Sequence, residues 1–264
     1  MLIDSHCHLM KFHQRGDLPE ILSEAEKLGV DRMITIGTDK DDWAINLALA
    51  KLYPERISYT VGLHPTSVED DWEQQLSELP KYLSGDRLPR AIGEIGLDHF
   101  HLPKKDPEKA EILKKRQLLA FDRQLQVAKE VGLSVVIHSR NAFAESVECI
   151  DRSGLPWEKV IFHCFADGTE QIDILNERGG HASFTGIVTY KNGENVRQAM
   201  LAQGLERLIL ETDSPYLAPE PHRGKENHPG YTRHIAEACA KLFNVPLETI
   251  ATISTRNTEL FFGL

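Results

Sequence analysis

The chain has 264 residues and a mass of 29.8 kDa, with 30 Lys and Arg against 40 Asp and Glu, so its net charge is −10 at pH 7. At 41% hydrophobic and 27% charged residues, with 18 Gly and 13 Pro, it has the composition of a globular protein and not of a disordered or collagen-like chain. No apolar run approaches the roughly 18 residues of a membrane-spanning helix, and the acidic balance disfavours a protein that coats nucleic acid while leaving open an enzyme that holds phosphates through metal ions.

In chain order, short apolar runs occur at Leu2–Asp4, Arg32–Ile36, Ile57–Val61, Ala91–Ile95, Ser134–Ile137, Val160–Phe162, His181–Phe184 and Leu208–Leu210. Unbroken runs of this kind suit parallel strands covered on both faces. Amphipathic stretches lie between them. The clearest is Gln117–Val131, where Leu118, Phe121, Leu125, Ala128 and Val131 trace one face. Asp17 and Asp106, each followed by Pro within two residues, read as helix starts; Gly29 and Gly132 read as helix stops. Eight strand–helix alternations predict a (β/α)8 TIM barrel in one domain spanning 1–264, with a doubly wound open sheet as the structural alternative. Ser214–Gly230, with four Pro, reads as a stiffened loop after the eighth strand.

The chemistry gathers at the strand ends. The first strand runs into Asp4-Ser-His6-Cys-His8, and two His one residue apart on an extended segment face the same way and can share a metal. The fourth ends in Gly-Glu94-Ile-Gly-Leu-Asp98, the fifth in Ile-His138-Ser-Arg140, the sixth in Phe-His163-Cys and the eighth in Leu-Glu211-Thr-Asp213. Five strands thus deliver His, Glu or Asp at the face where barrel active sites sit. The expected ligands are His6, His8, Glu94, His138, His163 and Asp213, enough for two divalent ions sharing Glu94. Histidine-rich ligation suits Zn, Mn or Fe better than Mg, and the sequence does not select among Zn, Mn and Mg.

His64, in Gly-Leu-His64-Pro, is expected at the same mouth as a substrate contact. Arg140 and Arg223 are further substrate-binding candidates, able to orient phosphate oxygens. Cys7 and Cys164 are expected to pack with their side chains turned from the metal. The four cysteines form no Cys-x-x-Cys pair, and with no signal-like start they suggest a reducing, cytoplasmic setting. Divalent ions at such a centre acidify water and steady the oxygens of a phosphodiester. Asp213 then doubles as ligand and general base, and Glu94 as the bridging catalytic carboxylate. Two other readings use the same residues: hydrolysis of an ester or amide, and a binding protein with structural metals. No Lys stands at an expected strand end to bridge metals as in many amidohydrolases, and structural metal sites are usually closed.

Taken together, Ile-Asp-Ser-His6-Cys-His8-Leu, Gly-Leu-His64-Pro, Ala-Ile-Gly-Glu94-Ile-Gly-Leu-Asp98, Val-Ile-His138-Ser-Arg, Phe-His163-Cys-Phe, Glu-Thr-Asp213-Ser-Pro-Tyr and Pro-His-Arg223-Gly-Lys-Glu-Asn resemble the TatD family of metal-dependent deoxyribonucleases, over essentially the whole chain. The resemblance implies a TIM barrel with one ion on His6, His8, Glu94 and Asp213 and the other on Glu94, His138 and His163. It implies a cytoplasmic DNase, often a 3′-to-5′ exonuclease acting on a single-stranded end, with no membrane or protein partner. Some relatives resemble deacylases of mischarged tRNA, which makes a D-aminoacyl-tRNA ester the alternative substrate. Two positions depart from the family pattern: His99, where Tyr is frequent, and His228, where Glu is usual. They bear on substrate preference and not on the metal ligands.

Overall fold

The computed structural model describes residues 1–264. All eight expected strands form: β1 (Leu2–Cys7), β2 (Val30–Thr35), β3 (Ile57–Tyr59), β4 (Ala91–Asp98), β5 (Ser134–Arg140), β6 (Val160–Phe162), β7 (His181–Phe184) and β8 (Ile209–Leu210). Helices fill every interval. They are α1 (Leu9–Arg15), α2 (Leu18–Lys27), α3 (Lys40–Leu52), α4 (Trp72–Leu76), α5 (Pro107–Val131), α6 (Phe143–Ser153), α7 (Thr169–Arg178), α8 (Glu194–Gln203), α9 (Thr232–Phe243) and α10 (Leu247–Phe262). No helix is long and apolar enough to cross a membrane.

The strands pair in parallel as β1-β2-β3 and β4-β5-β6-β7-β8. Two seams close these sheets into a barrel, excluding the open-sheet alternative. At one, Arg90 N–H donates to Tyr59 O and Gly93 N–H to Val61 O, both at 2.8 Å. At the other, Asp213 N–H donates to His6 O at 2.9 Å and His8 N–H to Ser214 O at 2.8 Å. The second seam is reinforced by Asp4, which is fully buried: its carboxylate accepts from Thr212 N–H at 2.9 Å, Thr212 Oγ1 at 2.5 Å and His6 N–H at 3.2 Å.

Strand alternation explains what the barrel holds. Ile34, Val136, Ile161 and Ile209 form an inner apolar cluster with Phe261 and Phe262 of α10. Ile36 belongs to the same cluster, and two residues further along the faces of β5, β6 and β8 come His138, His163 and Glu211. The outward residues, among them Val135, Ile137, Phe162 and Leu210, join the main core with the helices. The barrel floor is therefore apolar and its mouth ionisable.

Two details differ from the sequence reading. Val131 is exposed, and α5 instead turns Gln117 and Gln124 inward with Phe121, Leu125 and Ala128. Gln124 hydrogen-bonds both N–H (2.7 Å) and C=O (3.2 Å) of Leu63, and Gln117 does the same for Asp98 (3.0 and 3.2 Å). These carboxamides satisfy backbone groups that the ladder leaves free just past β3 and at the end of β4. Asp106 caps α5 through Lys109 N–H, whereas Asp17 turns away from its helix to pair with Arg15 at 2.7 Å.

Candidate metal centre

All six expected ligands converge at the mouth. Glu94 Oε1 lies 2.7 Å from His138 Nδ1 and 2.7 Å from His163 Nε2, while Oε2 lies 3.4 Å from His6 Nε2. Asp213 Oδ1 lies 3.3 Å from His8 Nε2 and 3.7 Å from His6 Nε2. Three groups of potential ligand atoms result: His6, Glu94 and His163; His6, His8 and Asp213; His64, Glu94 and His138. Strand pairing sets the approach. Gly96 of β4 pairs with His138 of β5, and a Cβ at Gly96 would lie 2.0 Å from the His138 carbonyl oxygen. Only glycine permits the close approach of these two strand ends. Asp213 itself adopts a left-handed backbone (φ 55°), sparsely populated for a non-glycine residue.

The proton arrangement shows whether these residues fit a cation. His138 stands between two acids, with Nε2 3.0 Å from Asp98 Oδ2 and Nδ1 2.7 Å from the Glu94 carboxylate, and both favour its cationic form. Such an arrangement calls for positive charge at Nδ1, supplied by a second ring proton or by a bound cation. Both ring nitrogens of His6, fully buried, lack a hydrogen-bond partner. Each neutral ring offers one lone pair, and together with the Glu94 and Asp213 carboxylates these donors fit divalent ions.

His64 is the contrasting case. Its Nδ1 accepts from Thr66 N–H at 3.1 Å, so Nε2 carries the proton and faces Glu94 Oε1 at 3.2 Å. It sits among the ligands but is arranged as a donor. Electrostatics follow the same pattern. Burial alone would raise the Glu94 carboxyl, but His163, His64 and His138 hold it well below the usual carboxylate range. Burial would likewise raise Asp213, which His8 and His6 hold down.

The remaining expectations divide. Arg140 lines the mouth, a cavity of about 1180 Å³, with its guanidinium 4.3 Å from the centre of the Phe100 ring. Arg223 lies outside that lining, over the Tyr190 ring at 4.2 Å. Cys7 packs as expected, donating to Ile34 O, but Cys164 lines the cavity because a left-handed turn (φ 46°) follows His163. His228 accepts from Gly230 N–H and faces Glu24 at 3.8 Å, away from the cavity. His99 lies 3.5 Å from Glu145.

Two supporting carboxylates went unassigned in the sequence. Asp98, fully buried, holds His138 and also lies 2.7 Å from His101 Nδ1. Glu211 accepts from Cys164 N–H at 2.5 Å and lies 3.5 Å from His163 Nδ1. Both stand in segments that carry the ligands, and only three-dimensional pairing separates support from ligation.

Comparison with known proteins agrees with this arrangement. The family described as TatD related DNase matches residues 3–263. An uncharacterized metal-dependent hydrolase of Bacillus subtilis, YabD, is 33% identical over 265 residues, covering 100% of both chains. YcfH of Escherichia coli K12, of the same description, is 33% identical over 268 residues, covering 100% of this chain and 96% of its own. The crystal structure of YJJV, a TatD homologue of Escherichia coli, superposes with a TM-score of 0.89 at 29% identity, over 100% of this chain and 98% of that one. A TatD family hydrolase of Entamoeba histolytica, at 20% identity and a TM-score of 0.82 over 99% of this chain and 97% of that one, shares the fold. Family model, sequence relatives and superposed structures agree, and the chain belongs to the TatD family of metal-dependent hydrolases.

Proposed function

We propose that the protein hydrolyses phosphodiester bonds of DNA, working from the 3′ end of a single strand. The observation that carries this reading is the convergence of His6, His8, His138 and His163 on the Glu94 and Asp213 carboxylates at the barrel mouth. His6, His8, Glu94 and Asp213 would hold one divalent ion, Zn, Mn or Mg, and Glu94, His138 and His163 a second. Bound there, such ions acidify water and neutralise charge on the phosphate.

The chain's own groups divide the remaining work. Asp213 reaches the mouth with 15% of its side chain exposed, whereas Glu94 is at 4%. Asp213 Oδ is therefore the base that takes the proton as a water oxygen bonds to phosphorus. The P–O3′ bond breaks, its electron pair stays on the departing oxygen, and that oxygen takes up a proton from solvent. His64 donates from Nε2 to a phosphate oxygen as charge builds there. Arg140 offers a second donor at the rim.

An end-labelled single-stranded oligomer tests this directly, incubated with Mg, Mn or Zn, with and without EDTA. Stepwise shortening from the 3′ end, abolished by EDTA and by Asp213→Ala, is expected. Metal-loaded protein that leaves DNA intact but releases the amino acid from a D-aminoacyl-tRNA would replace phosphodiester with ester hydrolysis on the same centre.

A further inference from the structure

Among the 10 Phe, 3 Trp and 6 Tyr, only Phe100 and Tyr216 are exposed, at 41% and 50%. Tyr216 lines the mouth cavity, and Phe100 stands just outside that lining, against Arg140 and His101, which belong to it. Phe100 follows β4, and Tyr216 lies three residues past Asp213 in the loop after β8. In a closed eight-stranded barrel the β4/β5 side and the β8/β1 side lie opposite each other. The two rings therefore flank the metal centre across its width. Tyr216 is next to it, its ring centre 6.2 Å from that of His8. Phe100 packs at 5.0 Å against His101, which reaches His138 through Asp98.

Each ring is accompanied by cations. The Lys11 ammonium donates to the Tyr216 hydroxyl and lies 4.4 Å from its ring centre. Arg140 lies 4.3 Å and Lys104 5.0 Å from the centre of Phe100. Lys11 and Arg140 line the cavity, as does Lys109; Arg116 is also there but is paired with Asp70 at 2.6 Å. The cavity lining as a whole is acidic, with Asp42, Glu69, Asp70, Glu94, Asp98 and Asp213 also on it, so these cations act as local phosphate contacts beside the rings. An exposed ring beside a cation is the combination that binds single-stranded nucleic acid: the ring stacks on a base and the cation meets the phosphate. Duplex DNA has no free base faces to offer, so the arrangement selects unpaired strands.

We propose that Tyr216 with Lys11 and Phe100 with Arg140 form two nucleotide subsites, one on each side of the metal centre, and that a single DNA strand lies across the mouth between them. This inference rests on the reading of the centre as a phosphodiesterase. It makes Phe100 and Tyr216 determinants of substrate binding on either side of the bond that is cut.

The test compares two hydrolysis-resistant phosphorothioate decamers of equal charge, oligo(dT) and an abasic strand, by fluorescence anisotropy on zinc-loaded protein. Stacking of two bases predicts oligo(dT) binding about 100-fold tighter than the abasic strand, with each of Phe100→Ala and Tyr216→Ala cutting that ratio about tenfold. Phe100→Trp, which keeps a stacking face, restores the ratio and excludes a folding defect as the cause. Equal binding of the two strands by the wild type overturns the subsites, as does an equal loss for both strands in the variants. Cleavage of an unmodified dT decamer separates the two readings. Base-dependent binding without cleavage keeps the subsites and removes the phosphodiesterase, whereas cleavage with a ratio of one does the reverse.

Discussion

Two buried carboxylates in strands of the same barrel have opposite surroundings. Asp4, in β1, has its oxygens filled by Thr212 N–H, Thr212 Oγ1 and His6 N–H, all donors the chain itself supplies. Glu94, in β4, is 3% exposed and faces nitrogens of His6, His64, His138 and His163. The first carboxylate is complete within the protein and stitches the β8–β1 seam. The second stands among imidazoles in an arrangement that fits divalent ions. Burial is equally costly at both, so the partner set and not the burial distinguishes a structural acid from a catalytic one.

That contrast can be broken by exchanging the two phenotypes. Glu94→Gln is expected to lower turnover by at least about a thousandfold while leaving the denaturation midpoint of metal-stripped protein in place. Asp4→Ala leaves three buried donors without an acceptor and is expected to cost about 3–5 kcal/mol of stability, read from urea unfolding. If Asp4→Ala folded as stably as the wild type, the seam would not depend on its carboxylate.

Asp98→Asn sharpens the comparison inside the cluster. An amide at this position can present N–H to His138 Nε2 and so move the ring proton to Nδ1, where it opposes a metal. Zinc affinity is expected to fall about 10–100-fold, measured by competition with a chelating dye. Unchanged affinity would mean that the proton on His138 is not set by Asp98. Gln124→Leu removes both hydrogen bonds to Leu63 without touching the cluster. It should cost about 1–3 kcal/mol in stability, with metal stoichiometry retained.

The smallest effect concerns pH and lies away from the ligands. Burial is the main cause that lowers His181 to about 4, helped by Arg207, and that lowers His228 to about 4, helped by His222. Both rings are neutral when folded, while the unfolded chain protonates them near their ordinary value of 6.5. Between about 4 and 6.5 the unfolded state binds more protons, so stability falls as pH drops through that window. His181→Phe is expected to make that decline shallower, and an unchanged slope would contradict its buried neutral state.

Much of this was legible in the chain. Apolar runs located all eight strands, yet β1, β4 and β5 extend past them, because Ser5, His6, Asp98 and His138 are polar residues that remain in strand conformation. These are the residues that line the mouth, so the reading fell short where strands carry the chemistry. The ligands were legible because each strand contributes one short local motif. Support was not: Asp4 and Thr212 are 208 residues apart, and Asp98 and His138 meet only through the β4–β5 register. Lys11 and Arg223 show the same limit. Each lies in or beside a motif, and only the folded loops place Lys11 at the cavity and Arg223 over Tyr190.

The claim that Glu94 is a bridge between ions, and not merely a buried acid, is tested most directly by counting metal. Calorimetric titration of chelator-stripped protein with zinc should give about two equivalents for the wild type and at most about one for Glu94→Gln. Two equivalents in both proteins, or none in the wild type, would contradict it.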